Sequence, residues 1–215
     1  MSAPAADHRE LGKQDARSWY VLAVVAVLLS ATVLRFFNLN WDSGTHIHPD
    51  ERYLTMVVSA VRLPSETQSI LSPASEGQAA PKGWPEALQL YWDTGHSPLS
   101  PANYERFVNY VYGTLPLFAT RATALWVDRW ACVSQPSLGG GVFQRFLTGS
   151  SHPCAPGFFT GYEGIHLVGR CLAALADLGT LVAVMLMARL VASTVSTERS
   201  ASRWMSLIVG MLYTC

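Results

Sequence analysis

Charged side chains are scarce in this sequence. Asp, Glu, Lys and Arg make up only 14% of its 215 residues, whereas a soluble domain carries about 25%. Half of the residues are hydrophobic and the mean hydropathy is +0.21. Neither a disordered chain nor an ordinary soluble domain has that profile. An excess of one sign is also lacking: 15 basic residues face 15 acidic ones. Without a basic excess there is no electrostatic basis for binding a phosphate backbone, so no nucleic-acid partner is expected. Four cysteines are too few for a disulfide-dense scaffold. No CxxC pair is present, which removes the usual structural zinc site. The strings GxxxxGK[ST], GxGxxG and GxSxG are missing too. Phosphate-cradling loops and the serine-hydrolase elbow go with them. The run Gly139-Gly140-Gly141 has no Lys after it and reads as a flexible turn.

What is present is long apolar runs. Trp19 to Leu34 contains no charge, and with Arg35, Phe36 and Phe37 it approaches the ~20 residues that cross a ~30 Å hydrocarbon core. Trp19 and Tyr20 open it as interfacial aromatics, and Arg35 is placed to snorkel toward headgroups at its far end. A cleaved signal peptide is the rival, but the run is long and small residues do not follow it. A second span is expected over 167–192, with Arg170 and Asp177 inside it. A third apolar run starts at Trp204 and reaches Cys215, too short to cross as a helix. The expectation is therefore that the chain is the N-terminal portion of a longer polypeptide. Arg9, Lys13 and Arg17 precede the first span, and Arg189, Arg199 and Arg203 flank the link 193–203. By the positive-inside rule both segments are cytoplasmic. Residues 1–18 form a cytoplasmic tail, 19–37 the first span and 38–166 an extracytoplasmic loop. The fold class is mainly α: a multi-pass membrane protein with helical spans and a large extracytoplasmic loop bearing interfacial helices.

The loop has its own pattern. Leu54, Val57, Val58 and Val61 recur at helical spacing, with Pro49 ahead of them and Pro64 behind. This predicts an interfacial helix over about 50–63. Ser65 to Pro85 is rich in Ser, Pro, Ala and Gly and reads as an excursion. A second interfacial helix is predicted over about 104–130. A membrane crossing there is the alternative, opposed by Pro116, Arg121 and the short apolar length. Cys132 and Cys154 lie in the loop, as a disulfide or as two separate thiols. Cys171 and Cys215 fall in apolar runs as small packing residues.

The densest polar cluster is His46, His48, Asp50, Glu51 and Arg52. A carboxylate here can serve as general base or metal ligand, and equally as a helix cap. His46 and His48 alternate in what reads as an extended segment, so both could face one side. Two imidazoles and a carboxylate suit a divalent cation, the one candidate cofactor, with His48 as the candidate ligand. Arg170 and Asp177 are seven residues apart, about 10 Å along a helix, too far for a direct pair. Arg170 can meet a lipid phosphate, and Asp177 a neighbouring helix.

The order of these segments resembles a known family. HPDERYLTMV follows the first span, YGTLPLF comes later, and GRCLAALADLGT opens the second span. Together they resemble the N-terminal part of a GT-C superfamily membrane glycosyltransferase, phospholipid-carrier-dependent and similar to protein O-mannosyltransferases and aminoarabinose transferases. The resemblance covers about Trp19 to Leu190. It implies a sugar moved from a polyprenyl-phosphate donor to a lipid, glycan or protein acceptor at the outer face of the inner membrane. It also implies Asp50 as the residue that deprotonates or orients the acceptor and Glu51 as its partner. Arg52 and Tyr53 resemble the Arg-Tyr that follows the acidic pair in aminoarabinose transferases, one residue further on there. Arg170 is the candidate for the carrier phosphate. Where relatives have His or Lys with a double Pro before the interfacial helix, this chain has Tyr112-Gly113-Thr114-Leu115-Pro116-Leu117. Two other readings stand beside it: a membrane-anchored binding or assembly subunit, and a transporter fragment using Arg170 and Asp177.

Overall fold

The computed structural model describes residues 7–63, 66, 84–92, 97, 99–134, 144–148, 155–195 and 199–214. Most of the excursion from Ser65 to Pro85 lies outside them, as do the Gly139 to Gly141 turn, Cys154 and Cys215. The described residues are mainly helical and contain no strand. In chain order the helices are α1 (Asp7–Phe36), α2 (Pro49–Ala60), α3 (Trp84–Trp92), α4 (Thr114–Asp128), α5 (Gln144–Thr148), α6 (Tyr162–Val195) and α7 (Arg199–Thr214). Two 3-10 turns, Pro101–Asn103 and Glu105–Phe107, precede α4, and a π-helical turn, Arg129–Ser134, continues it.

The chain divides into two compact units. One combines Met1–Phe37 with Ala173–Cys215, and the other is Asn38–Leu172. The first is a three-helix unit of α1, the C-terminal part of α6, and α7. Val27 and Ala31 of α1 pack on Leu181 and Met185 of α6, with Tyr213 of α7 against them. Two helices are long and apolar enough to cross a membrane: α1 over Arg17–Phe36, 20 residues, and α6 over Tyr162–Val195, 34 residues. A core helix of a soluble protein would be covered, but here Leu22, Leu29, Val33 and Leu34 of α1 are exposed, as are Leu175, Leu186, Met187 and Leu190 of α6. Such apolar side chains suit lipid as their solvent.

Two charges on these apolar helices meet. Arg35 pairs within the three-helix unit. Its Nε donates to the Asp177 carboxylate, its Nη2 to the Tyr213 carbonyl at 3.2 Å, and the Tyr213 hydroxyl donates to Asp177 at 2.6 Å. Asp177 thus finds its neighbouring helices, α1 and α7, within this chain. Pairing explains how two charges persist on apolar helices, since an unpaired charge in hydrocarbon is costly.

The second unit is built around α2 and α4, which pack together. Val57 and Val58 are buried on the expected face of α2. The helix stops at Ala60, short of the expected 63, because the chain turns extended at Val61 (ψ 137°), which buries Val61 and Leu63. The stretch expected as one helix over 104–130 breaks at 108–113. Gly113 is extended (ψ 143°) and starts α4, and the Tyr110 hydroxyl donates to its carbonyl at 2.9 Å. α4 has 15 residues, about 22 Å of helix. Its Arg121 is 1% exposed and turned into the unit, where it pairs with Glu66 and donates to the Thr160 carbonyl at 2.7 Å. Asp128 accepts from the Gly157 and Phe159 amides at 2.9 and 3.1 Å. Cys132 is disulfide-bonded, and Cys171 is free.

The loop 155–161 enters α6 through a tight contact at Gly164, where a Cβ would strike the Phe158 carbonyl oxygen and ring. Gly179 lies in the same helix with open space around its missing Cβ. Gly164→Ala is expected to lower unfolding stability by about 1–3 kcal/mol. Gly179→Ala is expected to hold or raise it, because Ala is the better helix former by about 1 kcal/mol. Thermal unfolding of both variants in detergent checks the pair; equal effects would mean that the contact at Phe158 does not constrain the fold.

Candidate active site

Residues 38–48 link α1 to α2, and one carboxylate shapes them. Asp42 has its side chain buried. It accepts from the Gly44 amide at 3.3 Å and from the His46 amide at 3.0 Å. That wraps the link into a turn in which Asn38, Ser43 and His46 take left-handed φ values of 52°, 51° and 49°. Left-handed backbone is costly for residues with a Cβ, so local hydrogen bonds must hold it. Asp42 was not legible as a site residue. The only signal was the Asp-Ser-Gly sequence, which favours a side-chain-to-backbone turn.

The turn overturns the expected histidine pair. His46 is not extended, and its ring is buried at 1% exposure, whereas His48 is exposed at the start of α2. The two imidazoles do not share a side. His46 instead meets His166 of α6, with ring centres 4.4 Å apart and edge on, and Tyr162 at 4.5 Å. The ring nitrogens of His46 and His166 are buried and have no hydrogen-bond partner. Among the described residues no three of His, Cys, Asp and Glu converge as a cation site.

Arg170 organises the front of the site. Its Nε and Nη2 donate to the two carboxylate oxygens of Glu51 at 2.6 and 2.9 Å. Its Nη1 donates to the Leu39 carbonyl at 2.6 Å and to Asp42 at 3.0 Å. The guanidinium also lies over the Trp41 ring at 5.3 Å. This two-pronged pairing is the strong form of the ion pair. Burial works to raise the Asp42 carboxyl, but the hydrogen bond and charge of Arg170, with the Gly44 amide, outweigh it. They hold Asp42 at about 2 against an ordinary 3.8. Arg170, read from the sequence as a phosphate ligand, has its nitrogens engaged by Glu51, Asp42 and Leu39. It acts as a bracket between α6 and the start of α2.

Asp50 and Glu51, adjacent in sequence, end in different settings. Glu51 is half-buried and clamped by Arg170. Asp50 is exposed in the first turn of α2. Its nearest hydrogen-bond partner is the Tyr112 hydroxyl, which donates to it at 3.4 Å. The negative charge of Asp50 pushes the Tyr112 phenol above its ordinary value. Arg52 donates through Nε to the His46 carbonyl at 3.0 Å. Tyr53 packs edge on against Phe107 at 5.9 Å and lies near Tyr110 and Tyr112, both at 6.4 Å. The site is thus an exposed carboxylate beside a group of tyrosines, set on a helix start that an internal arginine fixes. Tyr112 opens the YGTLPLF string and both tyrosines fall in the stretch expected as helix, but only folding brings Tyr112 to Asp50 and Tyr110 beside Tyr53.

These features define the class as a mainly helical protein with two helices long and apolar enough to span a membrane, and a separate unit that carries the polar cluster. No protein-family model, no curated protein and no solved structure matches the chain.

The Asp42 carboxyl is depressed in the folded state, so its stabilising effect is complete above pH 3.8 and is lost as pH falls toward 2. The shift is worth about 2 kcal/mol. Asp42→Asn is expected to lower stability by about that amount at neutral pH and to flatten the stability profile over the same acid window. Chemical unfolding measured across that range checks it. An unchanged slope would mean that Asp42 is not held low by Arg170.

Proposed function

We propose that this chain is part of a membrane glycosyltransferase of the GT-C type. In this reading it moves a sugar from a polyprenyl-phosphate carrier to an acceptor hydroxyl. The observation that carries the proposal is the split between the two acidic neighbours. Glu51 is held by Arg170, which fixes the helix start, while Asp50 stays exposed and unpaired by any arginine among the described residues. An exposed, rigidly mounted carboxylate is what a general base requires.

In the proposed step, Asp50 takes the proton of the acceptor hydroxyl as its oxygen attacks the anomeric carbon. The bond from that carbon to the carrier phosphate oxygen breaks, and the phosphate leaves with the electron pair. A single displacement inverts the sugar carbon, an expectation that rests on the family resemblance alone. The leaving phosphate needs a cation. Arg52 is exposed and has Nη1 and Nη2 available, so it takes this role in preference to the engaged Arg170. Tyr53 and Tyr112 line the approach to Asp50. His48 is exposed, and among the described residues it does not gather with two further donors. In this reading α1 and α6 are spans of a multi-pass inner-membrane protein, with a cytoplasmic N-terminus and the unit Asn38–Leu172 on the opposite side.

A second reading, a membrane-anchored binding or assembly subunit, is favoured by the buried core that Asn38–Leu172 has of its own. Membranes carrying wild type, Asp50→Asn or Glu51→Gln at matched expression separate the two. Transfer is assayed from polyprenyl-phosphate mannose and polyprenyl-phosphate aminoarabinose. Asp50→Asn is expected to reduce transfer about 10²–10⁴-fold with unfolding unchanged. Glu51→Gln is expected to lower both stability and transfer. Equal transfer by wild type and Asp50→Asn would remove Asp50 from the chemistry.

A further inference from the structure

The three-helix unit carries polar groups at two levels. At one, Arg35 is neutralised by Asp177. The other lies about 22 Å away along α1, fifteen residues back. There Tyr20 of α1 and Ser206 of α7 join through their hydroxyls at 3.0 Å. The guanidinium of Arg203, from α7, lies 5.6 Å from the centre of the Tyr20 ring. That of Arg189, from α6, lies 5.8 Å from the same centre. Neither arginine pairs with a carboxylate among the described residues.

Two cations from different helices therefore meet on one ring. The ring face attracts each of them, worth about 0.5–1 kcal/mol at an exposed site. It does not cancel their charge. The flanking residues mark the level. Trp19 and Trp204, next to Tyr20 and Arg203 in sequence, are 72% and 66% exposed. Exposed tryptophans at the end of an apolar helix mark the headgroup region of a bilayer. A planar guanidinium offers paired N–H donors that match phosphate oxygens.

We propose that Arg189 and Arg203, gathered around Tyr20, form a binding site for the phosphate of an anionic phospholipid headgroup. The site rests on the reading that α1 and α6 cross a membrane, though not on the glycosyltransferase chemistry. Free phosphate has the same charge and oxygens. The flanking tryptophans favour a headgroup, because they place the arginines at the level where lipid phosphates lie.

The test uses the full chain in nanodiscs of phosphatidylcholine, alone, mixed with phosphatidylglycerol, or alone with inorganic phosphate in the buffer. Phosphatidylglycerol is expected to raise the wild-type midpoint by about 2–4 °C. The rise should disappear in Arg189→Gln/Arg203→Gln and persist in Tyr20→Phe, which keeps the ring. Inorganic phosphate alone should not reproduce it. An equal rise in the double variant, or an equal rise from inorganic phosphate, overturns the proposal. Should the double variant fail to fold, native mass spectrometry of wild type with both lipids decides: preferential retention of phosphatidylglycerol supports the site, and equal retention overturns it. Carbonate extraction of the expressing membranes tests the underlying reading separately. Release of the chain fails the membrane assignment, whereas retention without lipid preference fails only the site.

Discussion

The pairing of Arg170 with Glu51 and Asp42 is the constraint on which the loop unit's front depends. Arg170 comes from α6, Glu51 from the first turn of α2 and Asp42 from the link before it. One guanidinium therefore ties three chain segments that are far apart in sequence. Remove it, and two carboxylates remain half-buried or buried without a counter-charge, a costly arrangement away from water. The same bracket determines which acidic residue is available. Glu51 faces Arg170, so Asp50, one position earlier on the helix, is left facing outward.

A second arginine does comparable work behind the site. Arg121 is buried, with Glu66, Ser59 and Thr160 as partners. Asp128, two turns further along α4, binds the amides of the same loop, 157–159. The loop that leads into α6 is thus held by charge-assisted hydrogen bonds at both ends. That loop feeds the helix on which Arg170 and His166 stand, so the order of the front follows from the anchoring behind it. His46 and His166 are the weak point of this arrangement. Their buried ring nitrogens have no partners, and a buried polar group left unsatisfied costs about 1–3 kcal/mol.

The three-helix unit uses the same device on apolar helices. Arg35 and Asp177 sit on helices whose other faces are apolar and exposed. Their pairing, closed by the Tyr213 hydroxyl, links α1, α6 and α7 at one level. At the other level Arg189 and Arg203 gather on an aromatic ring, and no carboxylate pairs with either among the described residues.

Much of the helical layout was legible from residue spacing. The apolar face of α2 reads directly from Leu54, Val57 and Val58, because a 3.6-residue period places them together. The long apolar helices are likewise visible as uncharged runs. Helix ends were less so. α2 ends at Ala60 and not at 63, because burying Val61 and Leu63 outweighs another helical turn. Asp50 and Glu51 were visible as a pair, and their different settings were not. Arg170, 119 residues from Glu51, makes that difference. The histidine pair failed for a related reason: alternation assumes extended backbone, and the hydrogen bonds of Asp42 bend it at His46. Local periodicity and composition were enough to determine which segments are helical and which are apolar enough for lipid. The partners of each charge were decided by tertiary structure alone, because an ion pair depends on distance in space and leaves no period in the sequence.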